Sequence, residues 1–185
     1  MSKYIMGIES SCDDTGVAII KDEKELLANV VSSQIDVHAK YGGVMPEIAS
    51  RLHAENITIC IEKALNDANL TFKDLSAVAV TSGPGLIGAL HVGLQAAKTI
   101  SLVHDIPLIS VHHLAGHIYA NNFEGEIKYP CLALIVSGGN SEIVYMEDEL
   151  KFKVIGQTID DAIGECIDKV ARIMGLPYPG GPHID

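Results

Sequence analysis

The chain is organised around the stretch Pro107-Leu-Ile-Ser-Val-His112-His113-Leu-Ala-Gly-His117, in which a short apolar run leads into histidines four residues apart. The segment Pro107–Val111 predicts a parallel strand, and the segment after it predicts a helix. Positions i and i+4 share one face of a helix, so His113 and His117 could present two imidazoles to one metal ion. Two surface histidines at a helix start are the alternative, because an isolated H-x-x-x-H pattern is not specific. A zinc protease of the H-E-x-x-H type is excluded, since Leu114 occupies the position of its Glu.

The composition is that of a globular protein of modest size. A chain of 185 residues predicts one domain or two small ones, and a hydrophobic content of 48% is enough for a core. No apolar run approaches the roughly 20 residues that cross a bilayer. The apolar run at the N-terminus is too short and too soon charged for a signal peptide. We therefore expect no membrane segment and a cytoplasmic location.

Charge and cysteine usage exclude two further classes of protein. The formal net charge of −11, without a cluster of Lys or Arg, argues against unassisted binding to a polyanion such as RNA. The four cysteines are scattered, and none forms a C-x-x-C pair; they are Cys12, Cys60, Cys131 and Cys166. We expect reduced thiols rather than disulfides or a zinc knuckle.

The N-terminal segment predicts a strand, a polar turn and two more strands. The strands are expected at Tyr4–Glu9, Val17–Ile20 and Leu26–Val31, and the turn contains Asp13 and Asp14. Backbone N–H groups and a hydroxyl in such a turn can hold phosphate, and the two carboxylates can hold a cation or act on a substrate. An ordinary hairpin with Asx-turn chemistry is the alternative.

The middle of the chain alternates helices with short strands. Pro46 fits the first turn of a long helix that ends near Asn69. The apolar strand Ala77–Val80 then leads into the glycine-rich loop Thr81–Gly88 and a second helix. Strand, glycine loop and helix in this order can present backbone donors to an anion, but no G-K-[ST] sequence completes a P-loop. A tight packing turn explains the glycines equally well.

The strand–turn–strand–strand order recurs in the C-terminal part. After the polar segment Asn121–Lys128, Cys131–Val136 leads into Ser137-Gly-Gly-Asn-Ser141, and strands are predicted at Glu142–Met146 and Lys151–Ile155. The repeated order predicts an internal duplication. We place a domain boundary after residue 121, with a first domain over 1–121 and a second over 122–185.

The last helix is predicted over Ile159–Arg172, with Asp160 or Asp161 as its N-cap. Its buried face would contain Ile163, Ile167, Val170 and Ala171. A loop rich in proline and glycine, Pro177–Pro182, follows, and no element closes the second strand–turn–strand–strand unit before Asp185. The sequence therefore predicts that the chain is a fragment of a longer fold.

Several of these segments together resemble one protein family. The segments are Ile8-Glu-Ser-Ser-Cys-Asp13, Gly83-Pro-Gly-Leu86, His113-Leu-Ala-Gly-His117, Val136-Ser-Gly-Gly139, Asp160-Asp161-Ala162 and Tyr178-Pro-Gly-Gly-Pro182. Each segment alone is weak evidence. Their order and spacing over the whole chain resemble the TsaD family, the tRNA N6-adenosine threonylcarbamoyltransferases.

The resemblance implies an α/β fold of the actin-like ATPase class (ASKHA, RNase H-like), complete in its first half and truncated in its second. It implies metal-dependent transfer of the threonylcarbamoyl group from threonylcarbamoyl-AMP to N6 of the adenine 3′ of the anticodon, in tRNAs reading ANN codons. The implied partners are tRNA and TsaB-like and TsaE-like proteins, and a homodimer is left open.

The resemblance also implies roles for individual residues. His113 and His117 would bind Fe2+ or Zn2+, and the third metal ligand of the family, an Asp, has no counterpart in this chain. Asp13 and Asp14 would lie near the reacting carbonyl, with Asp13 as the proton acceptor. The adenine nucleotide, threonylcarbamoyl-AMP or ATP, would contact Ile135, Val136, Ser137, Gly138, Gly139, Asp168 and Gly181.

The chain departs from the family pattern at two motifs and in its length, since the family runs to nearly twice this length. Asp14 stands where the family has Glu, and Asn140-Ser141 stands where it has His-Thr. Two other functions are the alternatives. A related O-carbamoyltransferase would share the histidine motif and the adenylate chemistry, and a non-catalytic scaffold would resemble the inactive partner subunit of the family, which lacks the histidine pair. We expect the chain to be inactive alone.

Overall fold

The computed structural model describes residues 2–22 and 24–184. The chain forms two compact units, the first made of Met1–His38 and Val44–His113 and the second of Ala39–Gly43 and Leu114–Asp185. The predicted end of the second domain, Asp185, lies outside the described residues. The boundary that we place after residue 121 stays a prediction about domain organisation.

The first unit is built on a five-stranded sheet of order β3-β2-β1-β4-β5. Its elements are β1 (Tyr4–Glu9), β2 (Asp14–Lys21), β3 (Glu25–Ser33), α1 (Ile35–Ala39, whose last residue belongs to the second unit), α2 (Pro46–Ala68), a 3-10 helix (Phe72–Asp74), β4 (Ala77–Gly83), α3 (Ile87–His104) and β5 (Leu108–His112). β1 runs antiparallel to β2 and parallel to β4, and β4 runs parallel to β5. The C-terminal ends of β1, β4 and β5 therefore meet at one edge of the sheet.

Apolar residues of the central strands and of both long helices form the core of this unit. Met6 of β1 and Val78 of β4 are both fully buried. They pack with Ile57 and Ile61 of α2 and with Ala97 of α3 in one apolar cluster. β4 is buried along most of its length, as its uninterrupted apolar sequence predicts.

Helix α2 begins and ends where the sequence predicts. Pro46 is its first residue, a position at which the missing N–H has no intrahelical partner to lose. Asn69 adopts the left-handed conformation with φ 53°, and its N–H donates to the carbonyl of Asn66. The short helix α1 has no comparable signal and is not predicted from the sequence.

The second unit is built on a three-stranded antiparallel sheet of order β6-β7-β8. Its elements are α4 (His113–Tyr119, whose first residue belongs to the first unit), a 3-10 helix (Ala120–Phe123), β6 (Cys131–Val136), β7 (Ser141–Asp148), β8 (Lys151–Gln157), α5 (Ile163–Ile173) and α6 (Gly181–Ile184). The predicted strand–turn–strand–strand order is present in both units.

The predicted start of the last helix is wrong. α5 begins at Ile163 with Ala162 as its N-cap, rather than with Asp160 or Asp161. The Asp161 carboxylate instead pairs with Lys169 Nζ at 2.7 Å. The side chain that sequence favours as a cap is therefore used in an ion pair with the helix that follows.

The predicted buried face of this helix is also only partly correct. Ala171 is 1% exposed, whereas Ile163 and Val170 are 47% and 43% exposed. Ile167 is half-buried. Helical periodicity predicts that these residues lie on one side of the helix, but not how much of that side is covered.

Two negative predictions can be compared with the structure. All four cysteines are free thiols, as their scattered positions predict. Within residues 2–22 and 24–184, no helix has the length and apolar character that crossing a membrane requires.

Candidate functional site

Asp13 and Asp14 lie where the loop between β1 and β2 ends. Ser10 and Ser11, which begin this loop, are 1% and 3% exposed. Asp13 is half-buried, and Asp14, the first residue of β2, is exposed to solvent. The loop therefore presents two carboxylates to solvent from a buried base.

The start of this loop is held by the segment that leads into α3. The backbone N–H of Leu86 donates to the carbonyl of Ser11 at 2.8 Å, and the N–H of Gly93 donates to Ser10 Oγ at 3.2 Å. A Cβ atom on Gly85 would lie 2.7 Å from the Ser11 carbonyl oxygen, so a side chain does not fit there. These contacts explain the glycine loop after β4 by packing, which is one of the two explanations that the sequence allows.

His53 of α2 holds the next part of the loop and is completely buried. Its Nε2 lies 3.0 Å from the carbonyl oxygen of Cys12, and its Nδ1 lies 2.7 Å from Thr15 Oγ1. Because a carbonyl oxygen can only accept, Nε2 carries a proton, and a neutral ring then accepts the Thr15 hydroxyl proton at Nδ1. The Gln34 N–H donates to the Asp13 carbonyl at 3.0 Å, so the backbone is fixed up to the first carboxylate.

The thiol of Cys12 experiences the negative charge of this loop. Withdrawal of the sulfur from water, followed by the charge of Asp13 and then of Asp14, raises the pKa of Cys12 to about 12. The residue as a whole is nevertheless exposed. The carboxylates of Asp13 and Asp14 therefore lie close enough to the Cys12 thiol to disfavour its charged form.

Glu9 lies at the edge where the parallel strands of the first unit end. Its Oε2 accepts a hydrogen bond from Thr81 Oγ1 of β4 at 2.6 Å and lies 3.0 Å from Nδ1 of His113. Its Oε1 accepts the backbone N–H of Ser11. Ser11 Oγ lies 3.1 Å from the same Nδ1. Glu9 thus joins the loop of Asp13 to the first histidine of the predicted metal pair.

The hydrogen bonds to Glu9 decide its charge. Burial acts to raise its pKa, but the hydrogen bonds of His113, Ser11 and Thr81 outweigh this effect and lower the pKa to about 2. Glu9 is therefore a carboxylate at neutral pH.

The two predicted metal ligands occupy the first and fifth positions of α4. His113 is half-buried and His117 is exposed. His112 differs from both, because it is the last residue of β5 and pairs in register with Gly83. In the part of the chain that the structure describes, no group of three or more His, Cys, Asp or Glu side chains is arranged to hold a metal ion.

The predicted phosphate loop is a tight turn between β6 and β7. The N–H of Ser137 donates to the Asn140 carbonyl at 2.8 Å, and the Asn140 N–H donates to Ser137 Oγ at 3.0 Å. Gly138 and Gly139 are exposed, and a Cβ atom on either would meet nothing within 4 Å. The predicted contact residue Ile135 is 6% exposed and belongs to the core of this unit.

The N-terminus of α5 packs directly against this turn. The Gly164 N–H donates to the Ser137 carbonyl at 3.1 Å, and the Ile163 N–H donates to Ser141 Oγ at 2.8 Å. A Cβ atom on Gly164 would lie 2.6 Å from the Ser137 carbonyl oxygen. A helix N-terminus at an exposed glycine turn is an arrangement that favours anions.

Asp168 and Gly181 lie at the other end of α5. Asp168 Oδ1 accepts the Gly180 N–H at 2.7 Å, and Gly181 is the first residue of α6. Arg172 donates to the carbonyl of Gly42. A cavity of about 170 Å3 lies beside them, lined by Ala39, Gly42, Asp168, Arg172, Leu176, Pro177 and Tyr178.

A larger cavity of about 450 Å3 in the second unit brings His117 together with part of the predicted nucleotide segment. Its lining is mostly apolar and consists of His117, Ile118, Asn121, Ile127, Cys131, Leu132, Ala133, Leu134, Ile135, Val136 and Ser137. Gly138 and Gly139 are not among the lining residues.

Sequence reasoning missed four of the residues described above, namely Glu9, Thr81, His53 and Gly164. For Glu9 and Thr81 a signal exists, because polar residues at the C-terminal ends of adjacent parallel strands converge at one sheet edge. For the other two we find none, since a single His on an amphipathic helix and a single Gly in a helix are both common.

Solved structures show the class of fold. YeaZ from Pseudomonas aeruginosa matches with a TM-score of 0.55 at 14% identity, covering 84% of this chain and 66% of that one. Component A of the (R)-2-hydroxyglutaryl-CoA dehydratase from Acidaminococcus fermentans matches with a TM-score of 0.52 at 16% identity, covering 95% and 55%. The chain is therefore an α/β protein of the actin-like ATPase fold class, as the family resemblance implies.

Sequence comparison gives the family. The family model of TsaD, described as tRNA N6-adenosine threonylcarbamoyltransferase, matches residues 25–185. Relatives of that name from Bacillus subtilis (strain 168) and Bacillus thuringiensis (strain Al Hakam) are each 59% identical over 98% of this chain and 53% of their own length. The chain belongs to the TsaD family, whose relatives are named as transferases, and it spans about half the length of the curated relatives it matches.

Proposed function

We propose that this chain contributes to an active site that transfers the threonylcarbamoyl group from threonylcarbamoyl-AMP to N6 of the adenine 3′ of the anticodon, in tRNAs reading ANN codons. The observation that carries the proposal is 59% identity over 98% of the chain to relatives named for this transfer. Since the chain spans about half of their length, the proposal concerns the complete active site to which these residues belong.

The turn Ser137–Asn140 is proposed to hold the phosphate of the adenine nucleotide. Its exposed glycines let the backbone approach an anion, and the N-terminus of α5 lies against it. Asp168 and Gly181 are proposed to contact the rest of the nucleotide. The hydrogen bond from Gly180 to Asp168 supports this grouping, because it fixes the loop that contains Gly181.

His113 and His117 are proposed as ligands of Fe2+ or Zn2+. Imidazole nitrogens suit both ions, and the contact of His113 Nδ1 with a carboxylate is typical of histidine ligands in metal sites. The described residues supply two such ligands, so a further one has to complete the set. When bound, the ion would polarise the carbamoyl oxygen of the substrate.

Asp13 is proposed as the proton acceptor. As the amine nitrogen forms its bond to the carbamoyl carbon, the bond from that carbon to the phosphate oxygen of AMP breaks, and the amine loses one proton. A half-buried carboxylate on a fixed loop can receive this proton. Asp14, with one methylene fewer than the usual Glu of the family, would add negative charge beside it.

Partner proteins are part of this proposal. The net charge of −11 on these 185 residues repels tRNA, and we propose that TsaB-like and TsaE-like proteins contribute positive surface to the complex. A cytoplasmic location follows from a tRNA substrate.

The test is reconstitution of the complete site. The chain would be joined to the remaining half of the Bacillus subtilis relative, combined with partner subunits, and supplied with threonylcarbamoyl-AMP and tRNA. Mass spectrometry of digested tRNA should detect the modified nucleoside. Asp13→Asn and His113→Ala should each lower the initial rate by at least about 100-fold, the scale of lost acid–base or metal catalysis.

The matched control is His112→Ala, which changes a neighbouring histidine that ends β5 rather than lying on α4. It should retain the rate of the parent within about twofold. Product from the 185-residue chain alone would contradict the expectation that it is inactive by itself. Carbamoyl transfer to a small hydroxylated molecule, with tRNA unchanged, would favour the O-carbamoyltransferase alternative.

A further inference from the structure

Glu9 is the centre of a polar cluster in the first unit, and the proposed mechanism gives it no role of its own. Donors from three separate elements converge on it: the N–H of Ser11 from the loop after β1, the hydroxyl of Thr81 from β4, and Nδ1 of His113 from the start of α4. The Glu9 side chain is 36% exposed and that of His113 is 20% exposed. The cluster is therefore partly buried but still accessible to water.

The position of the carboxylate is fixed independently of His113. Ser11 is itself anchored, because its carbonyl accepts the Leu86 N–H at 2.8 Å. Thr81 is 7% exposed and holds Oε2 at 2.6 Å. With one oxygen held from the loop and the other from β4, Glu9 presents Oε2 to His113 as a fixed acceptor.

The geometry determines which nitrogen of His113 carries the proton. A carboxylate can only accept hydrogen bonds, so the Nδ1 that lies 3.0 Å from Oε2 has to be the N–H nitrogen. Ser11 Oγ, 3.1 Å from the same nitrogen, then acts as a second acceptor. In a neutral ring with the proton on Nδ1, Nε2 has the lone pair that a metal ion requires.

We propose that Glu9 is a positioning residue for His113, which keeps the proton on Nδ1 and thereby makes Nε2 the metal-binding nitrogen. This inference rests on the proposed function, because it assumes that His113 is a metal ligand. A purely structural role, in which Glu9 only caps the loop through the Ser11 N–H, would leave the tautomer of His113 unaffected by Glu9.

The test uses the 185-residue chain and the variant Glu9→Gln, which keeps the shape of the side chain. The Ser11 N–H can only donate, so it should hold the amide oxygen of Gln on its own side. The NH2 group then faces His113 and requires an acceptor there. We expect the proton to move from Nδ1 to Nε2, which takes the lone pair away from the metal-binding nitrogen.

The first measurement determines which ring nitrogen of His113 carries the proton in the absence of metal. Long-range 1H–15N spectra at about pH 8 distinguish the two ring nitrogens, and the His113→Gln variant assigns the signal among the eight histidines. The parent should show a protonated Nδ1, and Glu9→Gln should show a protonated Nε2. A parent with the proton on Nε2 overturns the proposal, whether or not the variant folds, and so does a folded variant with the tautomer of the parent.

The second measurement is calorimetric titration of Zn2+ into the same variants joined to the remaining half of the Bacillus subtilis relative, because the chain alone supplies only two of the proposed ligands among its described residues. Glu9→Gln should weaken binding by about 10- to 100-fold, the range found when such outer partners of metal-bound histidines are changed. Glu47→Gln is the matched control, because it removes an exposed carboxylate whose partner is Arg51 at the surface, and it should leave binding unchanged. An equal loss of Zn2+ affinity in both variants would show that removing any negative charge weakens binding, and it would overturn the positioning role of Glu9.

The two measurements separate this inference from the function on which it rests. If the parent binds Zn2+ without perturbing the His113 signal, or fails to bind it, the proposed metal ligand is wrong and the positioning role is overturned with it. If Zn2+ shifts Nε2 of His113 but Glu9→Gln changes neither tautomer nor affinity, only the role of Glu9 is overturned.

Discussion

β1 and β6 open the same strand–turn–strand–strand order in the two units, yet their surroundings differ. β1 lies between β2 and β4, whereas β6 has only β7 beside it in the part of the chain that the structure describes. Met6 and Ile8 of β1 are 0% and 2% exposed, whereas Leu132 and Leu134 of β6 are 65% and 69% exposed. Ile135 of β6 is nevertheless 6% exposed and belongs to the apolar core of the second unit, so this local order can form both a sheet and a small core. The deeper burial of β1 goes with its parallel neighbour β4 and with the helices α2 and α3 that share its core.

The turns that follow these two strands are also held differently. The loop after β1 is fixed by contacts from α2 and from the start of α3, including the buried side chain of His53. The turn after β6 is fixed by its own Ser137 and by the first residues of α5. We therefore expect substitutions in the first unit to have larger effects than matched substitutions in the second.

The largest effect is expected from truncating the two strands themselves. Met6→Ala removes a fully buried side chain and should lower the free energy of unfolding by about 2–5 kcal/mol, because a cavity forms in a packed core. Leu134→Ala changes an exposed side chain and should stay within about 0.5 kcal/mol. Urea denaturation followed by circular dichroism measures both. Equal losses would show that the outer face of β6 is covered in solution.

The next comparison concerns the side chains that hold the two turns. His53→Leu leaves the carbonyl of Cys12 and the hydroxyl of Thr15 without their partner and should cost about 1–3 kcal/mol. Ser137→Ala removes the two hydrogen bonds that Ser137 Oγ makes with the backbone of Asn140, at 3.0 and 3.3 Å, and should cost about 1 kcal/mol because the turn is only partly buried. Denaturant titration again gives the two values, with His53→Gln as a variant that keeps one donor. A larger loss of stability for Ser137→Ala than for His53→Leu would contradict the expectation that the first unit is the more sensitive of the two.

A smaller effect is expected at the glycines of the second unit. Gly164→Ala would put a methyl group 2.6 Å from the Ser137 carbonyl oxygen, and the resulting shift should cost about 1–2 kcal/mol after the gain in helix propensity. In Gly138→Ala the added methyl group would meet nothing within 4 Å, so the variant should change the free energy of unfolding by less than about 0.5 kcal/mol. Thermal unfolding compares them. A stabilised Gly164→Ala variant would contradict the close approach of α5 to the turn.

The bounds of the elements follow from local chemistry where that chemistry is decisive. Pro46 and Asn69 delimit α2 because one fixes φ and the other tolerates the left-handed conformation. The start of α5 is mispredicted because Asp161 has two competing uses, and its ion pair with Lys169 depends on the folded helix. A single-residue preference cannot decide between them.

The candidate site is predictable only in part, for a similar reason. The loop of Asp13, the histidine helix and the glycine turn each have a local pattern, so the sequence predicts them. The Glu9–His113 contact joins residues 104 positions apart through the order β1-β4-β5, and no local pattern contains that order. For the same reason the exposure of Leu134 is not predictable, since alternation indicates two faces of a strand but not which elements cover them.

The smallest effect on folding is expected at Cys12. The reactivity of its thiol reports the charge of the loop after β1 in the folded protein. Burial and the charges of Asp13 and Asp14 raise the pKa of its thiol from 9.0 to about 12, so the thiol is neutral at pH 7 in both folded and unfolded chains. Because the folded pKa is the higher one, this contribution to stability is complete below about pH 9 and is lost as the pH rises toward 12.

The measurable consequence is a slow reaction of Cys12 with iodoacetamide, since the thiolate is the nucleophile. At pH 8 a thiol with a pKa near 12 should react about 1000-fold more slowly than one with an ordinary pKa near 8.5. Asp13→Asn should accelerate the reaction more than Asp14→Asn, because Asp13 has the larger effect on the pKa. Alkylation of each cysteine is followed by peptide mass spectrometry, with the exposed Cys166 of α5 as the internal comparison. If both Asn variants react at the rate of the parent, the carboxylates do not act on the thiol, and the description of this loop as a charged pair on a fixed backbone is wrong.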